Sequence, residues 1–165
     1  QYKPHEVDRR LLAQHCNEQL GREPFDWQLD ASVSVLCGQD VILDVGTGNG
    51  KTLVFSIPLL MDPKDINMIV SPLSALMIDQ VRSFRQVIVS PEIVVSAPFR
   101  AGVLSKTEFT DHLRAVCIDE AHCVSLWGGS FRPDYAELGV LRARLPPHVV
   151  MMIASATLPD HILDD

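Results

Sequence analysis

Lys51 and Thr52 close the stretch Thr47-Gly48-Asn49-Gly50-Lys51-Thr52, and an apolar run, Val41 to Val45, feeds it. Residues of these types at this spacing can hold a nucleoside triphosphate. Backbone N–H groups of a curled loop face the phosphates, a lysine reaches the β and γ oxygens, and a hydroxyl helps to hold Mg²⁺. The glycines are needed because such a loop uses φ > 0 and leaves no room for Cβ atoms beside a phosphate. The strict pattern G-x-x-x-x-G-K-[ST] fails at its first position, which is Val45, whereas the shorter T-G-x-G-K-T fits. Without Lys-Thr in register behind a strand, the same glycines would read as an ordinary strand-to-helix turn. Leu53, Ile57 and Leu60 then recur at helical spacing, so a helix N-terminus points its partial positive charge at the anion.

A second apolar run, Ala115 to Ile118, ends in Asp119-Glu120-Ala121-His122. Asp119 can hold Mg²⁺ through its water shell together with Thr52, and Glu120 can orient and polarise an attacking water. Asp-Glu by itself is a common solvated strand ending; joined to the Lys-Thr loop it makes a candidate hydrolytic site. Cys16, Cys37, Cys117 and Cys123 show no C-x-x-C spacing, and Cys117, His122 and Cys123 lie close together without a recognisable ligand pattern. Neither a zinc site nor a disulfide framework is indicated.

Chemistry at strand ends requires strands to carry it. Residues 6–20 read as a helix closed by Gly21, and a second helix runs from about Trp27 to Cys37, capped by Asp26 and ended by Gly38. Gln28, at the start of that helix, reads from the sequence alone as a solvated polar residue. Beyond the phosphate loop and its helix come the runs Met68 to Val70 and Val87 to Val89, each stopped by Ser-Pro (Ser71-Pro72 and Ser90-Pro91). Leu73, Leu76, Met77, Val81 and Phe84 predict a helix between those runs, and a less well patterned helical stretch lies between Phe99 and Leu113. The run Val149 to Ile153 ends in Ala154-Ser155-Ala156-Thr157. Short apolar runs alternating with helices predict βαβ units, a parallel sheet covered on both faces, and ligands at the carboxyl ends of its strands.

The chain has 165 residues, 47% of them hydrophobic, which is enough for one globular α/β domain. No apolar run reaches the roughly 18 residues of a membrane span, and no signal-peptide pattern opens the chain, so no membrane partner is expected. A net charge of −7 argues against a generally basic nucleic-acid coat but leaves room for a local groove. Gln1 at the start and Leu163-Asp164-Asp165 at the end suggest a piece of a longer chain.

Asp119-Glu120-Ala121-His122, with Gly50-Lys51-Thr52 before it and Ser155-Ala156-Thr157 after it, resembles motifs I, II and III of the superfamily 2 helicases. Their first RecA-like lobe, a P-loop NTPase domain, carries these motifs in this order. Residues 121–135, Ala-His-Cys-Val-Ser-Leu-Trp-Gly-Gly-Ser-Phe-Arg-Pro-Asp-Tyr, resemble the aromatic-rich loop of RecQ-type DNA helicases. Gln28, with Phe25 nearby, resembles that family's adenine-reading glutamine motif, and the view of Gln28 as merely solvated reverses. Ser71-Pro72-Leu73 with Asp79-Gln80 looks like motif Ia, and Ser90-Pro91-Glu92 like the next strand ending, both on the DNA side of the lobe.

The resemblance implies that residues 1–38 are a helical lead-in to a single ATP-binding lobe over 1–165. It places Gln28 on adenine, and Thr47, Gly48, Asn49, Gly50, Lys51 and Thr52 on ATP. Thr52 and Asp119 would hold Mg²⁺, and Lys51, Asp119 and Glu120 would carry catalysis. Ser71, Pro72, Ser90, His122, Trp127, Phe131 and Arg132 would contact single-stranded or forked DNA, with Ser155 and Thr157 coupling the two sites. Aromatic side chains stack on any base at roughly 1–3 kcal/mol each, and Gly128, Gly129 and Pro133 argue for a loop around Trp127 and Phe131 instead of buried core. An ATP-dependent 3′-to-5′ DNA helicase follows, serving DNA repair and recombination, in the nucleus of a eukaryote or otherwise in the cytoplasm. A degenerate ATP- or DNA-binding module and an Asp-Glu-Ala-His-type RNA helicase are the alternatives, and residues 127–133 speak against the RNA reading.

Two departures qualify the likeness. Only residues 81–89 separate Gln80 from Ser90, where the family inserts a further strand and helix. The stretch 72–86 still exceeds the dozen or so residues a parallel crossover needs, so the sheet can close with one strand fewer. Nothing after Thr157 supplies a second RecA-like lobe with its arginine finger, so such a lobe is expected elsewhere in a longer chain.

Overall fold

The computed structural model describes residues 2–46, 48–72, 85–121 and 138–156. Five strands make one sheet: β1 (Val41–Asp44), β2 (Ile66–Val70), β3 (Gln86–Val89), β4 (Leu113–Ile118) and β5 (Val150–Ser155). They lie in the order β1-β5-β4-β2-β3, and every pairing is parallel. The apolar runs therefore form the strands expected of them.

Their continuous hydrophobicity is explained by two covered faces. Val116, Ile118, Met68, Val70 and Met151 point into one core, which also holds Val94 and Leu141. The alternate residues Ala115, Cys117, Ile69, Val150 and Met152 point into the other, with Val35, Val54 and Phe55. The side-chain period of two along each strand sorts the two sets, except at Leu113, which joins the first core where the register of β4 with β2 shifts. A third cluster, including Leu12, Cys16, Leu36 and Ile57, packs α1 (Arg9–Leu20) behind α2 (Asp26–Leu36).

The helices depart from expectation at their ends. A short 3-10 turn, Pro4–Glu6, precedes α1, whose cap is Asp8 accepting from the Arg10 N–H. Gly21 closes α1 at φ 60, as its type predicts. In α2 the boundary shifts by one: Asp26 is the first helical residue and Phe25 takes the cap position. The phosphate-loop helix α3 (Lys51–Ser56) gives way to a 3-10 turn, Ile57–Leu60, because Pro58 has no N–H to continue an α ladder. Ser90-Pro91 both stops β3 and starts α4 (Pro91–Val95), with Ser90 as cap and Pro at the first position, so helix begins well before Phe99. The stretch continues through α5 (Ala97–Phe99), a π-turn at Arg100–Leu104 and α6 (Thr107–Thr110). A further helix, α7 (Leu138–Arg144), was not read from the sequence. The helix expected over 73–84 lies outside the described residues.

A buried polar network fastens α3 to the sheet. Asn67, fully buried in β2, donates from Nδ2 to the Phe55 carbonyl at 2.6 Å and accepts from the Ala115 N–H at 3.2 Å. Gln86 of β3 adds a bond from Nε2 to Ser56 Oγ at 3.0 Å. The register between β2 and β4 shifts between Ile66 and Asn67, and there a side chain, Asn67 Oδ1, receives the β4 amide. Asn67→Leu, similar in volume, would strand a buried N–H and weaken the tie to α3. We expect it to lower unfolding stability by about 2–3 kcal/mol in urea titration. A change within 0.5 kcal/mol, of the size ordinary at surface positions, would show that the network does not hold α3.

Candidate nucleotide site

The sheet's carboxyl rim is stitched by backbone hydrogen bonds that run past the strand ends. The Val45 N–H donates to the Ser155 carbonyl at 3.0 Å, and Ala121 N–H to Ala154 at 3.0 Å. Asp119 N–H donates to Val70 at 2.9 Å, and Ser71 N–H to Val89 at 3.1 Å. The segments that leave β1, β2 and β4 are thus held in register with one another and with the ends of β3 and β5. The candidate residues Ser71, Pro72, Ser90, Asp119, Glu120 and Ser155 sit on this rim or one residue beyond it, whereas Lys51 and Thr52 open α3 after the glycine loop.

The phosphate loop is built as its sequence demands. Gly48 and Gly50 stand at φ 83 and 84, conformations that side chains rarely adopt. Gly50 is also crowded: a Cβ there would lie 2.8 Å from Gln28 Nε2. The Asn49 N–H reaches back to the Gly46 carbonyl at 3.3 Å, and the Leu53 N–H bonds the Gly50 carbonyl at 3.0 Å to begin α3. Lys51 Nζ donates to the Val45 carbonyl at 2.8 Å. An ammonium has three donors, so this bond fixes the head group over the loop and leaves two protons for an anion. Because the Val45 N–H is itself bonded to Ser155, the lysine's anchor is tied to the end of β5. The Thr52 side chain is exposed beside it.

The acidic end of β4 is strained. Glu120 has φ 54, and among the described residues it is the one non-glycine in the left-handed region, at a cost of roughly 1–2 kcal/mol. The rim explains the strain. Asp119 donates toward β2 and Ala121 toward β5, whereas residues two apart on a regular strand donate to the same neighbour. Glu120 must reverse the backbone between those anchors. Its own N–H donates to Asp119 Oδ1 at 3.0 Å, which orients the carboxylate. Burial, and then the charge of Asp119, pushes the Cys117 thiol up, so Cys117 packs as a neutral group.

Position in the sheet sets the spacing. The lysine loop leaves β1 and the aspartate leaves β4, with β5 between them, so two strand spacings of about 4.8 Å separate their exits. An opening of roughly 10 Å, with a cation donor on one side and carboxylates on the other, suits a triphosphate and its metal. Among the described residues no group of three His, Cys, Asp or Glu could hold a metal ion. Ser155 is fully buried and Ser71 nearly so, while Gln28 is 1% exposed. Thr47, His122, Trp127, Phe131, Arg132 and Thr157 lie outside the described residues. Sequence reasoning missed two contributors: the carbonyl of Val45, which carries no side-chain signal, and the contact between Gln28 and the loop.

Among the described residues, no helix is long and apolar enough to cross a membrane. The DEAD/DEAH box helicase family matches this chain over residues 25–93 and 85–165. The chain belongs to that family. It is 37% identical over 161 positions to the probable ATP-dependent DNA helicase RecS of Bacillus subtilis, covering 79% of this chain and 31% of that protein. It is 30% identical over 171 positions to the RecQ-like DNA helicase BLM of Xenopus laevis, covering 84% of this chain and 12% of that one. With ATP-dependent DNA helicase Q5 of Rattus norvegicus, 31% identity extends over 198 positions, 98% of this chain and 20% of its relative. The resemblance to RecQ-type helicases is borne out, and the chain spans well under half the length of these relatives. The solved structure of the DUF1998 helicase MrfA bound to DNA superposes with a TM-score of 0.64 at 19% identity, over 97% of this chain and 28% of that one, a likeness of fold.

If Lys51 is the anion's cation, Lys51→Ala should weaken binding of a fluorescent ATP analogue on the order of 10- to 100-fold, as loss of a charge-assisted bond does. Equal affinities would remove the cradle assignment.

Proposed function

We propose that this chain is the ATP-binding lobe of a RecQ-like DNA helicase, which binds and hydrolyses ATP and contacts single-stranded or forked DNA. The observation that carries the reading is the common rim: a lysine-bearing glycine loop and an oriented Asp-Glu pair held by one continuous set of backbone bonds. Lys51 and the loop amides would bind the phosphates, Thr52 and Asp119 would hold Mg²⁺, and Glu120 would orient the attacking water. The metal, when held by Thr52 and Asp119, would supply positive charge against the charge that develops on the phosphates. Glu120 suits its part because the reversal of backbone at φ 54 turns it out of the strand direction that Asp119 still follows. The DNA side is proposed for Ser71, Pro72 and Ser90, and for His122, Trp127, Phe131 and Arg132 on the strength of the residue types alone. Ser155 and Thr157 would couple the two sides. For the whole protein we take 3′-to-5′ polarity and a place in DNA repair and recombination from the RecQ resemblance, in the nucleus of a eukaryote and otherwise in the cytoplasm.

Full turnover in this class draws on an arginine supplied across a cleft, worth about 10³–10⁵ in rate. The 165 residues alone should therefore bind ATP, hydrolyse it slowly and separate no strands. Robust unwinding by the purified 165-residue chain would sink the division of labour. Binding without any hydrolysis above a Glu120→Gln control would favour a degenerate module.

In the protein that carries both lobes, Trp127→Ala and Phe131→Ala should leave ATP affinity unchanged and abolish stimulation of the ATPase by single-stranded DNA. Arg132→Ala should also flatten the salt dependence of DNA binding. Melting temperatures measured beside the rates test the competing view, that the aromatics are core, which predicts a loss of ~3–5 kcal/mol for either truncation. Normal melts with full stimulation in all three variants would leave residues 127–132 without a DNA role.

A further inference from the structure

Between α3 and the sheet, in a layer formed by Val35, Val54, Phe55 and Ile69, lie two amide side chains. Asn67 of β2 and Gln86 of β3 are register partners, and both reach the backbone or side chains of α3. Asn67 is fully buried, and Gln86 and Ser56 are nearly so. Polar groups in such a layer are costly unless they are paired, and these are paired in a chain. Gln86 Nε2 donates to Ser56 Oγ at 3.0 Å, and Ser56 Oγ donates its own proton to the Thr52 carbonyl at 3.2 Å. Beside them Asn67 Nδ2 donates to the Phe55 carbonyl at 2.6 Å, while Asn67 Oδ1 accepts from the Ala115 N–H of β4 at 3.2 Å. The helix is therefore gripped at its first turn through Ser56 and at its last through Phe55.

A helix of six residues, about 9 Å long and ended by Pro58, does not hold a direction by itself. Bonds from two neighbouring strands fix its axis and its rotation against the sheet. The Thr52 side chain is exposed at the open end of that helix, and Asp119 follows the strand whose Ala115 amide Asn67 receives. The two residues assigned to Mg²⁺ are thus carried by elements that meet at one buried asparagine. We propose that Asn67, Gln86 and Ser56 are positioning residues, which set where Thr52 stands relative to Asp119 and with it the part of triphosphate affinity that depends on Mg²⁺. The inference rests on the nucleotide-site reading above and deepens it. Groups that stand behind a metal's holders act by orienting them. Lys51 Nζ has an anchor of its own on the Val45 carbonyl, so binding of the phosphates without metal depends on the network least.

Three variants test it. Ser56→Ala removes the middle of the chain, Gln86→Met fills the space of the glutamine without its donor, and Asn67→Leu removes the link to β4. Each is titrated with a fluorescent ATP analogue in Mg²⁺ and again in EDTA, with melting temperatures measured beside. The wild type should bind more tightly in Mg²⁺. In the variants that gain should shrink about two- to tenfold, the size of one hydrogen bond, while affinity in EDTA stays at the wild-type value. Gln86→Met combined with Ser56→Ala should lose no more than Ser56→Ala alone, because the glutamine acts through the hydroxyl. If Asn67→Leu does not fold, the other two variants carry the test. A purely structural tie lowers the melting temperature and leaves the ratio of the two affinities alone, so an unchanged ratio in folded Ser56→Ala and Gln86→Met proteins would overturn the proposal. An equal loss in Mg²⁺ and in EDTA would overturn it as well, since the network would then act on the whole loop. A wild type that binds the analogue equally in Mg²⁺ and EDTA, or not at all, would instead overturn the nucleotide-site reading and this inference with it.

Discussion

Everything at the functional edge of this lobe depends on backbone amides that keep pairing after the strands have ended. A loop that leaves a sheet usually gives up its register within a residue or two, and its side chains wander with it. Here Val45, Ala121, Asp119 and Ser71 each donate once more across the rim. The lysine loop, the acidic turn and the Ser-Pro ending therefore inherit the spacing of the strands beneath them. Positions set in this way need no ordering when a ligand arrives, which is the condition for electrostatic groups to act at full strength. The cost is visible at Glu120, whose backbone is held left-handed because its neighbours bond to opposite strands. A strained residue that persists only because its surroundings over-determine it is a common feature of catalytic turns.

The same rim gives a physical route between sites. Lys51 is anchored on the carbonyl of Val45, and the amide of Val45 is anchored on Ser155. Ala154, one residue back on β5, receives Ala121 from the acidic turn. The phosphate loop and the Asp-Glu pair are thus linked through two consecutive residues of one strand. A displacement of the end of β5 moves both, without any contact of its own with the nucleotide. That gives content to the coupling expected of Ser155, as main-chain geometry at a fully buried residue.

The sequence made the strands, the phosphate loop and the acidic turn legible because each is encoded locally, by unbroken hydrophobicity or by residue types at fixed spacing. Strand order was not legible, since parallel pairing is decided by crossovers and not by the strands' own letters. Asn67 was passed over because a polar residue beside an apolar run reads as a strand end. In fact it lies inside β2, and it works because the break at Pro58 frees α3 backbone groups nearby and the register with β4 shifts beside it. The expected cap at Asp26 failed by one residue for a related reason: the Gln28 side chain closes the turn at Phe25, and a long-range partner at Gly50 keeps it there. Glu120 carries no letter that announces a left-handed backbone; only its two anchored neighbours do.

The sheet stays continuous on both sides of the crossover between β2 and β3. The alignment with the rat relative runs over 198 positions against 165 residues here, so that relative carries sequence without a counterpart in this chain. The two family matches overlap at 85–93, which places the junction on β3 and the start of α4. Yet β3 pairs with β2 in full register, from Asn67↔Gln86 to Val70↔Val89, and Ser71 still donates to Val89 beyond it. A unit can be lost without breaking that pairing only if it stood outside the ladder β2 and β3 share, toward the sheet's edge. Loss from the middle would have separated β1 from β4 or β4 from β2, and with them the lysine from the carboxylates. Loss at the edge would remove one ladder and leave every rim bond among Val45, Ser155, Ala121, Asp119 and Val70 intact, because those bonds run among β1, β5, β4 and β2.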